Sequence, residues 1–190
     1  MSKIILVTDQ HPLANSLCPF ELGTIDECVE YISKQEVVGV DTETDGKDFT
    51  RKKIVMFQIG TADIQYVIDT RTVSIEPLRA YLEGSATKIF HNAKFDYKFI
   101  KSNYNIEVNN IYDTMLAECI LHCGKDKWGY SLNSLTQRYL EISLNKEVRN
   151  KFIGLEGNPF TSEQICYGAE DVQFLLKIMD IQLKEIQKLD

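Results

Sequence analysis

The sequence predicts an α/β protein whose mixed sheet, three antiparallel strands followed by parallel strands, is flanked by helices. Three β-branched apolar runs, Val37–Thr44, Ile54–Gly60 and residues 65–69, follow one another with short links, which favour an antiparallel meander. After about residue 75 the spacing of apolar residues becomes helical and is interrupted only by short apolar runs. Alternating helices and strands of this kind add to the sheet and cover it.

The elements after the meander are predicted in turn. Residues 75–82, 93–100 and 131–140 have helical spacing, and residues 88–90 form a short buried strand. Ile111 and Tyr112 precede a helix over about 114–123 that Gly124 closes as a C-cap. Thr161 and Gln164 form a capping-box pattern for a last long helix, whose apolar residues keep the helical period at Val172, Leu175, Leu176, Met179 and Leu183.

Length and composition predict a single domain over residues 1–190. An apolar content of 44% and a charged content of 26% are typical of a globular protein in water. No apolar run is long enough to cross a membrane, and the run at residues 4–7 is too short for a signal peptide. The five cysteines, at 18, 28, 119, 123 and 166, are odd in number and scattered rather than a disulfide framework, which favours a reducing cytoplasm.

The net charge of −7 argues against a nucleic-acid partner, because such proteins usually carry a basic surface. Two facts weaken that argument. Carboxylates that hold metal ions add formal negative charge that the ions offset. Basic residues also form local groups at 51–53, at Lys94, Lys98 and Lys101, and at 146–151, although any one group can simply be a solvated face.

Asp41 and Glu43 lie two residues apart at the end of a predicted strand. Because side chains alternate along a strand, both carboxylates project from the same face. Two adjacent anions repel, and a hard divalent cation such as Mg²⁺ or Mn²⁺ relieves the repulsion. A solvated acidic strand end is the alternative, and it is the more common situation for such a pair taken alone.

Two further acidic positions follow. In HNAKFD (91–96), Phe95 and Phe99 define an apolar helix face and leave Asp96 to face a cleft. On the last helix, Tyr167 and Asp171 are four residues apart and share one face. An exposed Asp stabilised by the helix dipole is the alternative for the second pair.

Taken together, these three motifs resemble the Tyr-containing branch of the DEDD exonuclease superfamily. The matching segments are DTET (41–44), HNAKFD (91–96) and YGAED (167–171), supported by YDTMLAE (112–118), SLNSLTQRYL (131–140) and Lys146. They are similar to the proofreading domains of family A DNA polymerases and to ribonuclease D, over a core of about residues 20–185. The resemblance implies a ribonuclease H-like fold.

The resemblance also implies a mechanism. Two divalent ions, Mg²⁺ or Mn²⁺, would be held by Asp41, Glu43, Asp96 and Asp171, with Asp41 shared between them and Asp96 acting through water. Tyr167 would orient the attacking water, since a phenol with a pKa of about 10 is a poor base at neutral pH. The products would be nucleoside 5′-monophosphates released from a 3′ end. Thr42, Thr44 and Asn92 are candidate contacts for the terminal nucleotide, with local backbone hydrogen bonding as the equal alternative.

Other features of the same segments have competing interpretations. His91 and Asp96 also fit the H-x-x-x-x-D motif of the sister branch, but that would leave Tyr167 and Asp171 unexplained, so His91 is assigned to a strand end. Gly168 stands where the family usually has alanine. Cys119, His122 and Cys123 could suggest zinc but lack a suitable fourth ligand. Asp113 is predicted to cap the helix that begins at Thr114.

The expected partner is nucleic acid, with single-stranded DNA favoured because the chain leaves no room for the helical domains that accompany ribonuclease D. A ribonuclease D-like exoribonuclease is the main alternative, and an inactive nucleic-acid-binding module is a weaker one. Any replication or repair proteins would act in trans. Trp128 is an additional candidate for a nucleic-acid contact.

Overall fold

A computed structural model of the chain describes residues 2–10, 19–123, 129–144, 147–155 and 157–188. Gly124, Trp128 and Lys146, to which the sequence assigned a helix cap, a nucleic-acid contact and a family motif, lie outside the described residues. Within the described part of the chain, no helix combines the length and apolar character needed to cross a membrane.

In the described residues, seven strands form one mixed sheet in the order β2-β1-β5-β4-β3-β6-β7. The β3–β4 and β4–β5 pairs are antiparallel, which confirms the predicted meander, while β6 and β7 add to β3 in parallel. On the other side, β1 and β2 extend the sheet in parallel beside β5. The strands are β1 (Lys3–Val7), β2 (Glu21–Leu22), β3 (Val37–Thr44), β4 (Ile54–Gly60), β5 (Ile64–Asp69), β6 (Thr87–Phe90) and β7 (Ile111–Asp113).

Helices cover both faces of this sheet. They are α1 (Ile25–Ile32), α2 (Arg79–Leu82), α3 (Ala93–Tyr104), α4 (Thr114–Leu121), α5 (Leu132–Leu140), α6 (Ser162–Gln173) and α7 (Leu175–Ile186). Short 3-10 turns occupy Glu76–Leu78, which contains Pro77, and Glu147–Phe152. The Thr161 capping box begins α6 as predicted.

The two faces of the sheet have separate cores. On one face, α1 and α3 bury residues such as Ile32 and Phe99 against Val38 and Val40 of β3. On the other face, α6 packs on β3, β4 and β5 through a second cluster that includes Ile165 and Ala169. Alternation along β3 therefore sends successive side chains toward α3 and toward α6.

Three sequence predictions need correction. The last helix is two helices, because the backbone breaks at Phe174 between α6 and α7. No element is predicted before Val37, but Thr24 and Glu27 form a capping box that begins α1. Cys28, Cys119 and Cys123 carry free thiols, as expected of a protein in a reducing cytoplasm. Cys166 is disulfide-bonded, so this expectation is wrong at that position.

Candidate active site

The end of β3 supplies carboxylates to the α6 face of the sheet. Gly39 precedes them on this face, and a Cβ there would lie 2.9 Å from the Val172 carbonyl oxygen. The missing side chain thus allows α6 to approach the strand closely. Asp41 and Glu43 follow at two-residue steps on the same face, so both are directed toward the helix that carries Asp171.

Asp41, Glu43 and Asp171 form a compact carboxylate cluster. One oxygen from each lies within 4.8 Å of the other two, and among the described residues this is the group of acidic, histidine or cysteine side chains close enough to share a metal ion. Glu43 and Asp171 are buried and Asp41 is half-buried. The structure therefore brings the first and third sequence motifs together.

Asp96 approaches the cluster from the opposite face of the sheet. It is 3% exposed, and its Oδ1 accepts a 2.6 Å hydrogen bond from the Thr42 hydroxyl. Burial raises the pKa of the Asp96 carboxyl well above its ordinary range, the negative charge of Asp41 raises it further, and the Thr42 hydrogen bond opposes both effects. Asp96 is thus a neighbour of Asp41 that stands outside the three-carboxylate cluster.

The three candidate contacts for the terminal nucleotide have different environments. The Thr42 hydroxyl is engaged by Asp96, and the Thr44 hydroxyl donates to the Gly46 carbonyl at 2.7 Å. The Thr44 hydroxyl therefore follows the alternative of local backbone hydrogen bonding, whereas the Thr42 hydroxyl is used by a carboxylate 54 residues away in the sequence. Asn92 is exposed at the cleft, with a left-handed backbone at φ 67°.

Asp113 fixes the loop that carries Asn92. It caps α4 as predicted, with Oδ1 accepting from the backbone N–H groups of Met115 and Leu116. The same carboxylate also accepts from the N–H groups of Asn92 and Ala93 at 3.0 and 2.9 Å. One side chain thus anchors the beginnings of both α3 and α4, a role the sequence did not indicate.

Tyr167 lies one helical turn before Asp171 on α6. Burial raises the pKa of its hydroxyl well above the ordinary value of about 10, and the charges of Asp171, Glu43 and Asp41 act in the same direction. The phenol is therefore protonated at any physiological pH. Its position suits a hydrogen-bond donor to groups at the cluster.

Gly168 has a packing reason. A Cβ at this position would lie 2.6 Å from Gln58 Nε2 and 2.8 Å from Met56 Sδ, so the larger β4 side chains occupy the space that alanine would need. Gln58 is fully buried, and its amide nitrogen and oxygen make no hydrogen bond within the described residues. The size of these two β4 side chains thus explains why glycine stands at position 168, where the family usually has alanine.

The carboxylates line a cleft with a cavity volume of about 270 Å³. This is close to the lower limit of about 300 Å³ for small-ligand pockets, so the cleft has room for a small ligand. His91 lines it, and its Nδ1 lies 2.9 Å from the Thr114 hydroxyl. The sequence did not predict five further lining residues from α4, the start of α5 and the loop after it: Met115, Ser131, Leu132, Asn133 and Leu144.

The residues considered for zinc belong to a different environment. Glu118 is fully buried and accepts hydrogen bonds from Arg138, Tyr139 and Gln182. His122 Nε2 lies 2.9 Å from Glu118 Oε1. His122 is therefore placed beside this buried carboxylate, which ties α4 to α5 and α7.

The donor set of the cluster fits a hard divalent cation. Mg²⁺ and Mn²⁺ prefer carboxylate oxygens completed by water, and three carboxylates converge here from two rigid elements. Ionised carboxylates this close repel one another, and a divalent ion between them reverses that cost. Asp41, Glu43 and Asp171 are thus suited to hold an ion, with Asp96 adjacent to Asp41.

Comparison with known proteins agrees with this chemistry. A family model described as 3′-5′ exonuclease matches residues 21–187. The chain is 27% identical to the protein RRP6-like 2 of Arabidopsis thaliana over 94% of its length, and 28% identical to DNA polymerase I of Aquifex aeolicus over 87%. It spans only 21% and 27% of those two proteins.

Solved structures share the fold. Escherichia coli RNase D, an exoribonuclease involved in structured RNA processing, has a TM-score of 0.78 and 20% identity over 99% of this chain and 46% of its own. Brucella melitensis NrnC with bound Mg²⁺ has a TM-score of 0.74 and 20% identity over 99% of this chain and 83% of its own, and NrnC has also been solved bound to pGG. These neighbours confirm the ribonuclease H-like fold, and the match over residues 21–187 shows that the chain belongs to the 3′-5′ exonuclease family.

Proposed function

We propose that this chain removes nucleotides one at a time from the 3′ end of single-stranded nucleic acid and releases nucleoside 5′-monophosphates. The observation that carries the proposal is the cluster of Asp41, Glu43 and Asp171 within 4.8 Å at the bottom of a cleft. Asp96 and Tyr167 line the same cleft. Residues 1–190 are proposed to act as one exonuclease domain with its core at about 20–185, which the family match over 21–187 supports.

The residues have distinct proposed roles. Asp41, Glu43 and Asp171 would hold one divalent ion, and Asp41 with Asp96 a second. Bound ions would supply Lewis acidity toward the scissile phosphate and lower the pKa of water. Tyr167, protonated, would donate a hydrogen bond that orients the attacking water, and Asn92 would contact the terminal nucleotide.

The sugar of the substrate is the least constrained part of the proposal. The DNA preference predicted from the sequence depended on chain length alone. NrnC, whose chain is 83% covered by this one, has been solved bound to pGG. The named relatives include both an exoribonuclease and a DNA polymerase. DNA and RNA are therefore proposed as equal candidates, and replication or repair partners acting in trans remain an expectation.

The deciding experiment uses 5′-labelled single-stranded DNA and RNA of one sequence, with Mg²⁺ or Mn²⁺ and with EDTA. We expect a ladder that shortens from the 3′ end, disappears in EDTA and is absent for Asp41→Ala, and the faster ladder identifies the substrate. Binding of either strand without shortening would instead indicate an inactive nucleic-acid-binding module. Asp180→Asn, an exposed acidic change on α7, is the matched control.

A further inference from the structure

Two lysine-rich segments that are distant in the sequence form one surface. The loop at residues 45–53, between β3 and β4, packs on α3. The Phe49 ring contacts the Phe99 ring edge-on at a centroid distance of 6.4 Å, and the Ser102 hydroxyl donates to the Phe49 carbonyl at 2.8 Å. Asn103 accepts from the Ile54 N–H at 3.0 Å, so the loop is held along the helix.

Both segments expose basic side chains. Lys47 and Lys53 of the loop and Lys94 and Lys98 of α3 are exposed, and within the described residues none of the four makes an ion pair. We call these four residues the lysine surface. Lys98 Nζ also lies 5.2 Å from the centre of the Phe49 ring, a cation–π contact that links helix and loop.

Neighbouring charges leave this surface positive. The two carboxylates of the loop, Asp45 and Asp48, lie 3.8 Å from Lys52 and Arg51 and so have cations of their own. Lys101 is paired with Glu107. In a chain with a net charge of −7, four exposed lysines without acidic partners on adjoining elements are a local reversal of the overall charge.

The helix that carries Lys94 and Lys98 also contributes to the cleft. Asn92, Phe95 and Asp96 of the α3 start line the cleft, and Lys94 lies among them in the sequence. Lys98 is one turn further along, so the two ammonium groups are neighbours on the helix surface. The Phe95 and Phe99 rings contact each other at a centroid distance of 4.9 Å. Because Phe99 also contacts Phe49, these rings connect the cleft wall to the 45–53 loop.

We propose that the lysine surface binds the phosphates of the strand upstream of the 3′-terminal nucleotide. The inference rests on the proposed function and adds the path of the substrate: the terminal nucleotide occupies the cleft and the preceding backbone follows α3 toward the 45–53 loop. Lysine ammonium groups bind phosphate as point charges, so binding should depend on the length of the strand and not on its base sequence.

The test compares a dinucleotide with a 20-nucleotide strand. In Lys94→Glu/Lys98→Glu, we expect the ratio of kcat/KM for the long strand to that for the dinucleotide to fall at least 10-fold. The salt dependence of binding to a fluorescent 20-mer should weaken by about 1.4 in slope, since each phosphate contact to a single strand contributes about 0.7. The melting temperature checks that the variant is folded.

The matched control is Lys177→Glu/Lys184→Glu on α7, which carries the same charge change on two exposed lysines of a helix covering the other face of the sheet. It should keep the wild-type ratio and slope. An equal loss in both double variants, or no loss in the α3 variant, would overturn the proposal. Failure of the wild-type chain to cleave either substrate would instead reject the proposed function, and the binding measurement would still judge the lysine surface.

Discussion

The Thr42 hydroxyl donates a 2.6 Å hydrogen bond to Asp96 Oδ1 and so joins β3 to α3 behind the carboxylate cluster. Thr42 projects from the opposite side of β3 to its neighbours Asp41 and Glu43. One tripeptide therefore serves two helices. Its two carboxylates face Asp171 on α6, and the threonine between them holds the fourth carboxylate in place.

Thr42→Val should lower kcat/KM about 10- to 100-fold while leaving the fold intact. The variant keeps the shape of the side chain but removes the donor to a buried carboxyl, and a hydrogen bond to a charged group is worth about 1.5–3 kcal/mol. Steady-state kinetics with a short strand measures the effect. Thr42→Ser retains the hydroxyl and should stay near wild type; full activity of the valine variant would show that the bond has no role.

Divalent ions should stabilise the chain through the cluster. At 100 times its Kd, an ion adds about 2.7 kcal/mol, which corresponds to a rise in melting temperature of several degrees for a chain of this size. Thermal denaturation with Mn²⁺ and with EDTA measures the rise. Asp171→Asn should reduce it, whereas Asp180→Asn should retain it in full. An undiminished rise in Asp171→Asn would place the ion elsewhere.

Tyr167→Phe should lower kcat by a similar factor at every pH between 6 and 9. Because burial and three carboxylates raise the Tyr167 pKa above its ordinary value, the phenol is protonated throughout this range and its ionisation adds no limb to the profile. Parallel pH–rate profiles for the two enzymes are the expected result. If the wild-type advantage grew tenfold per pH unit, Tyr167 would be acting as a base. The control is Tyr66→Phe, the same substitution at a buried tyrosine in the core cluster on the α1 side of the sheet.

Gly168→Ala should destabilise the protein, although alanine is the better helix former by about 1 kcal/mol. The new Cβ would meet Gln58 Nε2 at 2.6 Å and Met56 Sδ at 2.8 Å, and overpacking costs about 1–3 kcal/mol. Urea denaturation gives the free energy of unfolding. A Gln58→Ala background removes the closer of the two contacts and leaves that to Met56, so the same substitution should cost less there than in the wild-type chain. A stabilised Gly168→Ala single variant would contradict the packing argument.

The sequence predicted the parts of the fold that local patterns determine. The meander of β3, β4 and β5, the start of α3 and the Thr161 capping box were all visible as apolar runs and cap residues. The break at Phe174 was not, because the helical period of apolar residues continues across it. The capping box at Thr24 and Glu27 is present in the sequence and marks α1, although apolar spacing alone did not predict this helix.

The sequence also predicted part of the site. Two-residue spacing on β3 and four-residue spacing on α6 identified the side chains that converge, since those distances follow from element geometry. The engagement of Thr42 by Asp96 and the second cap made by Asp113 depend on how α3 docks, which no local pattern encodes. The same holds for Leu132 and Asn133, which reach the cleft only because α5 is placed beside it.

The carboxylate cluster also joins β3, in the first quarter of the chain, to α6 near its end. An ion held by Asp41, Glu43 and Asp171 would close a loop of most of the chain, and so would act as a removable crosslink. Such a link resists the detachment of the C-terminal helices from the sheet. Chelation should therefore expose α6 and α7 to proteolysis before the meander is cleaved, and the ion would control how long the native state survives as well as what it can hydrolyse.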